Sequence, residues 1–208
     1  MGLVIIGSGA LGRIALNIAR LNKEEVTGFY DDNPDMIGKQ VDGLKVKGNA
    51  ADIFNLDPAS RIVVGIGEVD KRKEMHDKLK AKGFDFAALV HPTASIASSA
   101  KIEEGCIIKE NAVVEIGTAI GANSVIGNGA VICHDSNIGK HCRIAPSVTI
   151  AGNATVGAES YLCVGVKIDR RIKIGKKTII ASGCTIWKDV PAGSIVKLPA
   201  YMDVKKRG

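Results

Sequence analysis

Through the second half of the chain an aliphatic residue returns at every sixth position. From Ile96, Ile102, Ile108 and Val114 through Ile132, Ile138, Ile144 and Ile150 to Ile186, sixteen consecutive slots spaced by six hold Ile, Leu or Val. The slot after each is often Gly or Ala, as at Gly121, Gly127 and Gly139. The slot four after it is small or β-branched, as at Ala112, Thr118 and Ser124. Six is not a multiple of 3.6, so the pattern excludes a helix. It fits short strands that each turn one aliphatic side chain inward and meet at tight corners, three strands to an eighteen-residue coil. Coils stacked about 4.8 Å apart bring residues eighteen apart, such as Ile132 and Ile150, into one internal column. The expectation is a parallel β-helix of about five coils, beginning at HPTASI near residue 91.

The first 90 residues keep a different rhythm. LVII reads as a buried strand, ALGRIALNIARL as an amphipathic helix, and VTGFYDD as a second strand ending in Asp31 and Asp32. RIVVGIG (61–67) makes a third strand, a charged helix follows, and FAALV (86–90) makes a fourth. Gly7, Gly9 and Gly12 complete GxGxxG between the first strand and the first helix, with an acid about twenty residues on. Backbone N–H groups of such a turn and of the helix N-terminus cradle phosphate. The chain therefore divides into an α/β, Rossmann-like module over 1–90 and a β-helix over 91–208 with a C-terminal tail. The front module is half of a dinucleotide fold. It suits one nucleotide or a nucleotide-sugar better than NAD, and a purely structural βαβ unit is the plainer alternative.

Composition changes this picture only a little. The net charge of +6 comes from scattered lysines and arginines with no basic run interleaved with aromatics, which argues against nucleic acid and suits phosphate-bearing small molecules. No apolar run approaches the roughly 18 residues of a membrane span, and the opening MGLVII lacks the basic region of a signal peptide. Cys106, Cys133, Cys142, Cys163 and Cys184 are odd in number, form no CxxC, and occupy small-residue slots of the repeat. They read as reduced packing residues of a cytoplasmic protein.

Inside the repeat, His134 and Asp135 place two adjacent ionisable groups. An imidazole can take a proton from a nucleophile at neutral pH, and a carboxylate beside it fixes its tautomer. Neighbours on a flat strand point to opposite faces, so the two can cooperate directly only at a corner. Coil stacking puts Gly152, eighteen residues on, against His134. A metal held by His91, His134 and His141 is the weaker alternative, because His134 and His141 are seven apart and fall in different slots.

The short Rossmann-like module, the hexapeptide run and ICHDSNIG together resemble the PglD/NeuD-type nucleotide-amino-sugar N-acetyltransferases of the hexapeptide-repeat acyltransferase superfamily, over nearly the whole chain. The resemblance implies a left-handed β-helix, a homotrimer, and acetyl-CoA as co-substrate in the groove between neighbouring β-helices; the out-of-phase spacing of the histidines argues against a catalytic metal. It implies His134 as general base, Asp135 as its acidic partner and the Gly152 N–H as oxyanion donor. It assigns Ser8, Gly9, Asp31, Asp32, Gly65, Ile66 and Arg72 to the nucleotide-sugar, and Arg143, Gly152, Ala181 and Lys197 to acetyl-CoA.

Three departures stand out. The family's GxSGH turn is GSGALG here, and Arg143 replaces a second histidine nine residues after the base. In the closing WKDVPAGSIVKLPAYM, Lys197 replaces glycine and Tyr201 replaces lysine, with Lys205, Lys206 and Arg207 as substitutes for a lost phosphate contact. The activity expected is acetyl transfer to the amine of a nucleotide-linked amino sugar in bacterial glycan synthesis. Sugar O-acetylation, as in the sialic-acid type, and a non-catalytic nucleotide-sugar-binding scaffold are the alternatives.

Overall fold

The computed structural model describes residues 2–57 and 60–198. The front module is a six-stranded sheet in the order β3-β4-β2-β1-β5-β6, where β1 is Leu3–Ile6, β2 Val26–Tyr30, β3 Gln40–Val41, β4 Leu44–Gly48, β5 Arg61–Val64 and β6 Asp85–Phe86. All neighbours are parallel except β3 and β4, which form a hairpin. Sequence reading missed this hairpin, although Asp42-Gly43 is its signal. Both residues have positive φ (48° and 75°), as a two-residue turn matched to strand twist requires.

Two helices, α1 (Ala10–Leu21) and α2 (Val69–Ala81), cover the sheet. Gly12, in the first turn of α1, packs so closely on the glycine turn that a Cβ there would run into the Gly7 carbonyl oxygen. Leu3, Ile5, Phe29 and Val63 face α1 residues Ala15, Leu16, Ile18 and Ala19. The same cluster takes in Leu89, Ile107 and Val125 from the outer surface of the coils. The two parts of the chain therefore share one hydrophobic core, the non-directional burial of apolar surface that dominates folding.

The repeat folds into a parallel β-helix of eighteen two-residue strands in three sheets of seven, six and five. Ile132 registers on Ile150, and Ile108 on Ile126, as the eighteen-residue period requires. The inward aliphatics are almost wholly buried in one column. Hydroxyls in the small-residue slots are satisfied by carbonyls fifteen residues on: Thr118 Oγ1 donates to Cys133 O at 3.0 Å and Ser124 Oγ to Gly139 O at 3.0 Å. Cys142 Sγ does the same to Gly157 O at 3.3 Å, and burial pushes its thiol up to about 11. All five cysteines are free.

Two expectations need correction. FAALV is not one strand: Asp85–Phe86 closes the front sheet, whereas Leu89–Val90 is already the first rung of the β-helix, paired with Ile107–Ile108. That rung and a last one at Ile195–Val196 make six coils rather than five. The final coil is shortened, with Val190 bridging to Ile174 and Val196 registering on Ile180, so the beat of six ends at Ile186.

Corners carry a second period that sequence reading overlooked. Every sixth residue from Gly105 to Gly183 has positive φ, eight of the fourteen being Gly or Asn, the residues that enter this region at least cost. Asp135 (φ 55°) and His141 (φ 59°) occupy that slot.

Candidate active site

A cleft of about 440 Å³ opens at the carboxyl ends of β1 and β5, where the strand order reverses, the usual ligand position in an open α/β sheet. Gly7, Gly9, Tyr30, Asp31, Asp32, Gly65 and Ile66 line its sheet side. Lys71, Lys109 and Arg143 bring three cations to it, the last two from the coils. Gly9 caps α1 with no side-chain hydrogen bond, so the first N–H groups of a twelve-residue helix face the cleft. Arg143 donates to Gly67 O at 2.9 Å and lies 4.9 Å from the Tyr161 ring centroid. This holds its guanidinium beside the cleft and between it and a second cleft lined by Glu68, Tyr161 and Lys177.

Two residues expected at phosphate are committed elsewhere. Ser8 is buried, and both its N–H and Oγ–H donate to Asp31 Oδ2 at 2.6 Å. Burial opposes the charge on Asp31, but the bonds from Ser8 and from Asn33 N–H prevail and hold its carboxyl below the usual range. Asp32 accepts the Ala50 N–H at 3.1 Å. Arg72 is 0% exposed. Its guanidinium donates to the carbonyls of Ile66, Gly67, Asn123, His141 and Cys142, pinning α2 to the coils. Burial, with Arg143 nearby, draws its pKa down to about 10, still charged at neutral pH. Five donors on one planar fork suit this role and leave nothing for phosphate.

His134 and Asp135 form a corner between two sheets. The left-handed backbone at Asp135 turns both side chains to the same side, which an extended strand would forbid. His134 Nδ1 lies 2.9 Å from Asp135 Oδ2. The ring packs on Gly152 so closely that a Cβ at Gly152 would stand 2.5 Å from Nε2. At the equivalent corners one coil to either side, the first N–H is claimed by a carboxylate: Glu115 accepts from His134 at 2.8 Å, and Asp169 from Arg170 at 2.7 Å. The residue before Gly152 is Ala151, and among the described residues the Gly152 N–H has no acceptor. Glu115, missed by sequence reading, was within reach of coil stacking, since it lies eighteen residues before Cys133.

The remaining expected residues lie apart from this corner. Ala181 packs against the column and donates its N–H to Val196 O at 2.9 Å, and Lys197 is exposed beyond the last rung. Tyr201, Lys205, Lys206 and Arg207 lie outside the described residues. His91 bonds to Thr93 at 2.9 Å. His141 sits in the buried seam between α2 and the coils with His76 and Asp77, their ligand atoms within 4.8 Å of one another. Lys73 Nζ, 2.8 Å from Asp77 Oδ2, already neutralises that carboxylate. His91, His134 and His141, the weaker metal alternative, do not form a ligand cluster among the described residues.

Comparison with known proteins agrees with this geometry. The PglD N-terminal domain family matches residues 2–79, and six repeats of the bacterial transferase hexapeptide family match residues 117–152. A histidine-to-asparagine variant of perosamine N-acetyltransferase from Caulobacter crescentus, solved with CoA and GDP-perosamine, superposes with a TM-score of 0.90 at 27% identity, covering 99% of this chain and 98% of that one. PerB from the same organism, with the same two ligands, gives 0.88 at 28% identity over 94% and 93%. The acetyltransferase domain of PglB from Neisseria gonorrhoeae FA1090, solved with acetyl coenzyme A, gives 0.88 at 26% identity over 93% and 94%. The chain thus carries a PglD-type front domain joined to hexapeptide repeats, and its likeness to these acetyltransferases runs the length of the chain.

Proposed function

We propose that this protein transfers the acetyl group of acetyl-CoA to the amine of a nucleotide-linked amino sugar, in bacterial glycan synthesis. The observation that carries the reading is the corner itself. His134 is oriented through Nδ1 by Asp135 and lies on Gly152, whose N–H is free. With Nδ1–H donated to the carboxylate, Nε2 is left as the proton acceptor. As the amine attacks the thioester carbonyl, Nε2 takes its proton and the Gly152 N–H receives the negative oxygen. Collapse of the tetrahedral intermediate breaks the carbon–sulfur bond, and the imidazolium returns the proton to the CoA sulfur.

The cleft at the front sheet supplies the other half. It offers a helix N-terminus and three cations for a diphosphate, and Asp31 and Asp32 for the nucleoside. CoA and GDP-perosamine bound in relatives of the same length and architecture support both substrates. In one chain, the cleft and His134 lie at opposite edges of one face of the β-helix. We therefore assign the protein to a homotrimer in which acetyl-CoA occupies the groove between adjacent β-helices. No described helix is long and apolar enough to cross a membrane. The five unpaired cysteines support a cytoplasmic setting.

The test is thiol release from acetyl-CoA with UDP-, dTDP- and GDP-linked amino sugars and their hydroxyl counterparts, for wild type and His134→Ala. We expect release with an amine acceptor and a loss of about 10²-fold or more in the variant. A variant equal to wild type would remove His134 as base. Release with hydroxyl acceptors alone would make the protein an O-acetyltransferase.

A further inference from the structure

Among the described residues, Glu115 is the one carboxylate bound to the backbone N–H of His134. Its Oε2 accepts the His134 N–H at 2.8 Å, reaching up from the coil below. The same geometry occurs two corners earlier, where Glu103 accepts the Ala122 N–H at 2.9 Å, so a glutamate nineteen residues back is a recurrent clamp for a corner of this fold. At His134 the clamp stands in a different setting. Glu115 and His134 line one cleft of about 340 Å³ on the outer face of the coils, with Val113, Ile116 and Ser95. Among the described residues no lysine or arginine pairs with Glu115, and Asp135 is paired only with His134. Elsewhere on the surface, Asp42, Glu24, Glu74 and Glu104 each have a fixed cation.

We propose that Glu115 is a specificity-determining residue for acetyl transfer. One carboxylate oxygen holds the backbone of the base, and the negative charge faces the acceptor, so a cationic amine is selected over a neutral hydroxyl. This rests on the acetyl-transfer reading and adds to it the reason for choosing nitrogen. The acceptor arrives as an ammonium, pairs with Glu115 inside a largely apolar cleft, and sheds one proton to solvent; the resulting amine attacks and passes a second proton to His134 Nε2, which returns it to the CoA sulfur. A hydroxyl sugar of the same shape gains nothing from the carboxylate.

Two variants separate the parts. Glu115→Gln keeps an acceptor oxygen for the His134 N–H and removes the charge, and Glu115→Ala removes both. With the best amine acceptor, the glutamine variant is expected to raise KM about tenfold with kcat within about threefold, the size of one part-exposed charged contact. The Ki of the hydroxyl counterpart and the KM of acetyl-CoA stay unchanged. The alanine variant shows the same KM rise plus about a tenfold fall in kcat, since the corner has lost its clamp. Calorimetric binding of the amine and hydroxyl nucleotide-sugars reads the same preference without turnover. Wild type should favour the amine, and Glu115→Gln should bind the two alike. Equal binding of both ligands by wild type, an unmoved amine KM in the glutamine variant, or a hydroxyl Ki rising in step would each overturn the proposal. Failure of the underlying reading looks different: no thiol release by wild type with any acceptor.

Discussion

Replacing Gly152 by alanine tests the corner at its tightest contact. The added methyl would stand 2.5 Å from His134 Nε2, 2.7 Å from Cε1 and 3.1 Å from Cδ2, where ordinary contact begins at 3.4 Å. The ring must retreat by about 1 Å. It can do so cheaply, because its side chain is 50% exposed, and Gly152 does not need the left-handed region that would strain an alanine. Stability should therefore fall by less than about 1 kcal/mol, since the added bulk meets a mobile side chain rather than a packed core. The catalytic cost is larger. The retreat pulls Nε2 off its line to the amine and strains the 2.9 Å bond to Asp135, and a displacement of that size costs about 10²-fold. The alanine keeps its N–H, so loss of the oxyanion donor is not the cause. The assay is kcat/KM from thiol release beside a thermal melt monitored by circular dichroism. We expect about a hundredfold loss with a nearly unchanged melt. Gly152→Ala combined with His134→Ala should be no slower than His134→Ala alone, because both act through one ring. Near-wild-type turnover in Gly152→Ala would refute the assignment of Nε2 as base.

Acid should loosen the seam between the two parts of the chain. Burial first, then His76, holds His141 down at about 4, and burial also lowers His76, so both rings are neutral when folded at pH 7. In the unfolded chain they titrate near 6.5, so between about pH 6.5 and 4 the unfolded state binds the extra protons and stability falls as pH falls. For His141 the loss is at most about 3 kcal/mol, with Asp77 partly offsetting it and Lys73 and Arg72 adding to it. Urea midpoints at pH 7, 6 and 5 should decline and His141→Gln should flatten the slope; a midpoint constant across that range would contradict the account. Arg72→Met should cost about 3 kcal/mol or more in urea unfolding by leaving the carbonyls of Ile66, Asn123 and His141 without a donor. It should leave the acceptor KM unchanged where the variant is still folded, and a higher KM with unchanged stability would return Arg72 to the phosphate.

The beat of six was legible because it repeats. One aliphatic per strand is a local demand of a three-sided coil, and it predicted Ile132 over Ile150 and Gly152 under His134 without any knowledge of the rest. The GxGxxG turn was legible for the same reason, since the space above Gly7 is decided within one strand, turn and helix. The rungs at Leu89–Val90 and Ile195–Val196 were not, because the first overlaps a run of apolar residues that reads as one strand and the last follows a shortened coil.

Alone, the sequence determined the two architectures, their order, and the stacking of Gly152 on His134, because each follows from residues a fixed number of steps apart. Tertiary structure decided where the charges went. Ser8 and Arg72 looked like phosphate ligands by their place in a motif, yet the fold of the front module gave Ser8 to Asp31, and docking that module on the coils gave Arg72 to backbone carbonyls of both parts. The same docking turned Lys109 and Arg143 into walls of the cleft at the front sheet. A side chain's partner depends on what is packed against it from distant parts of the chain, and no spacing rule carries that information.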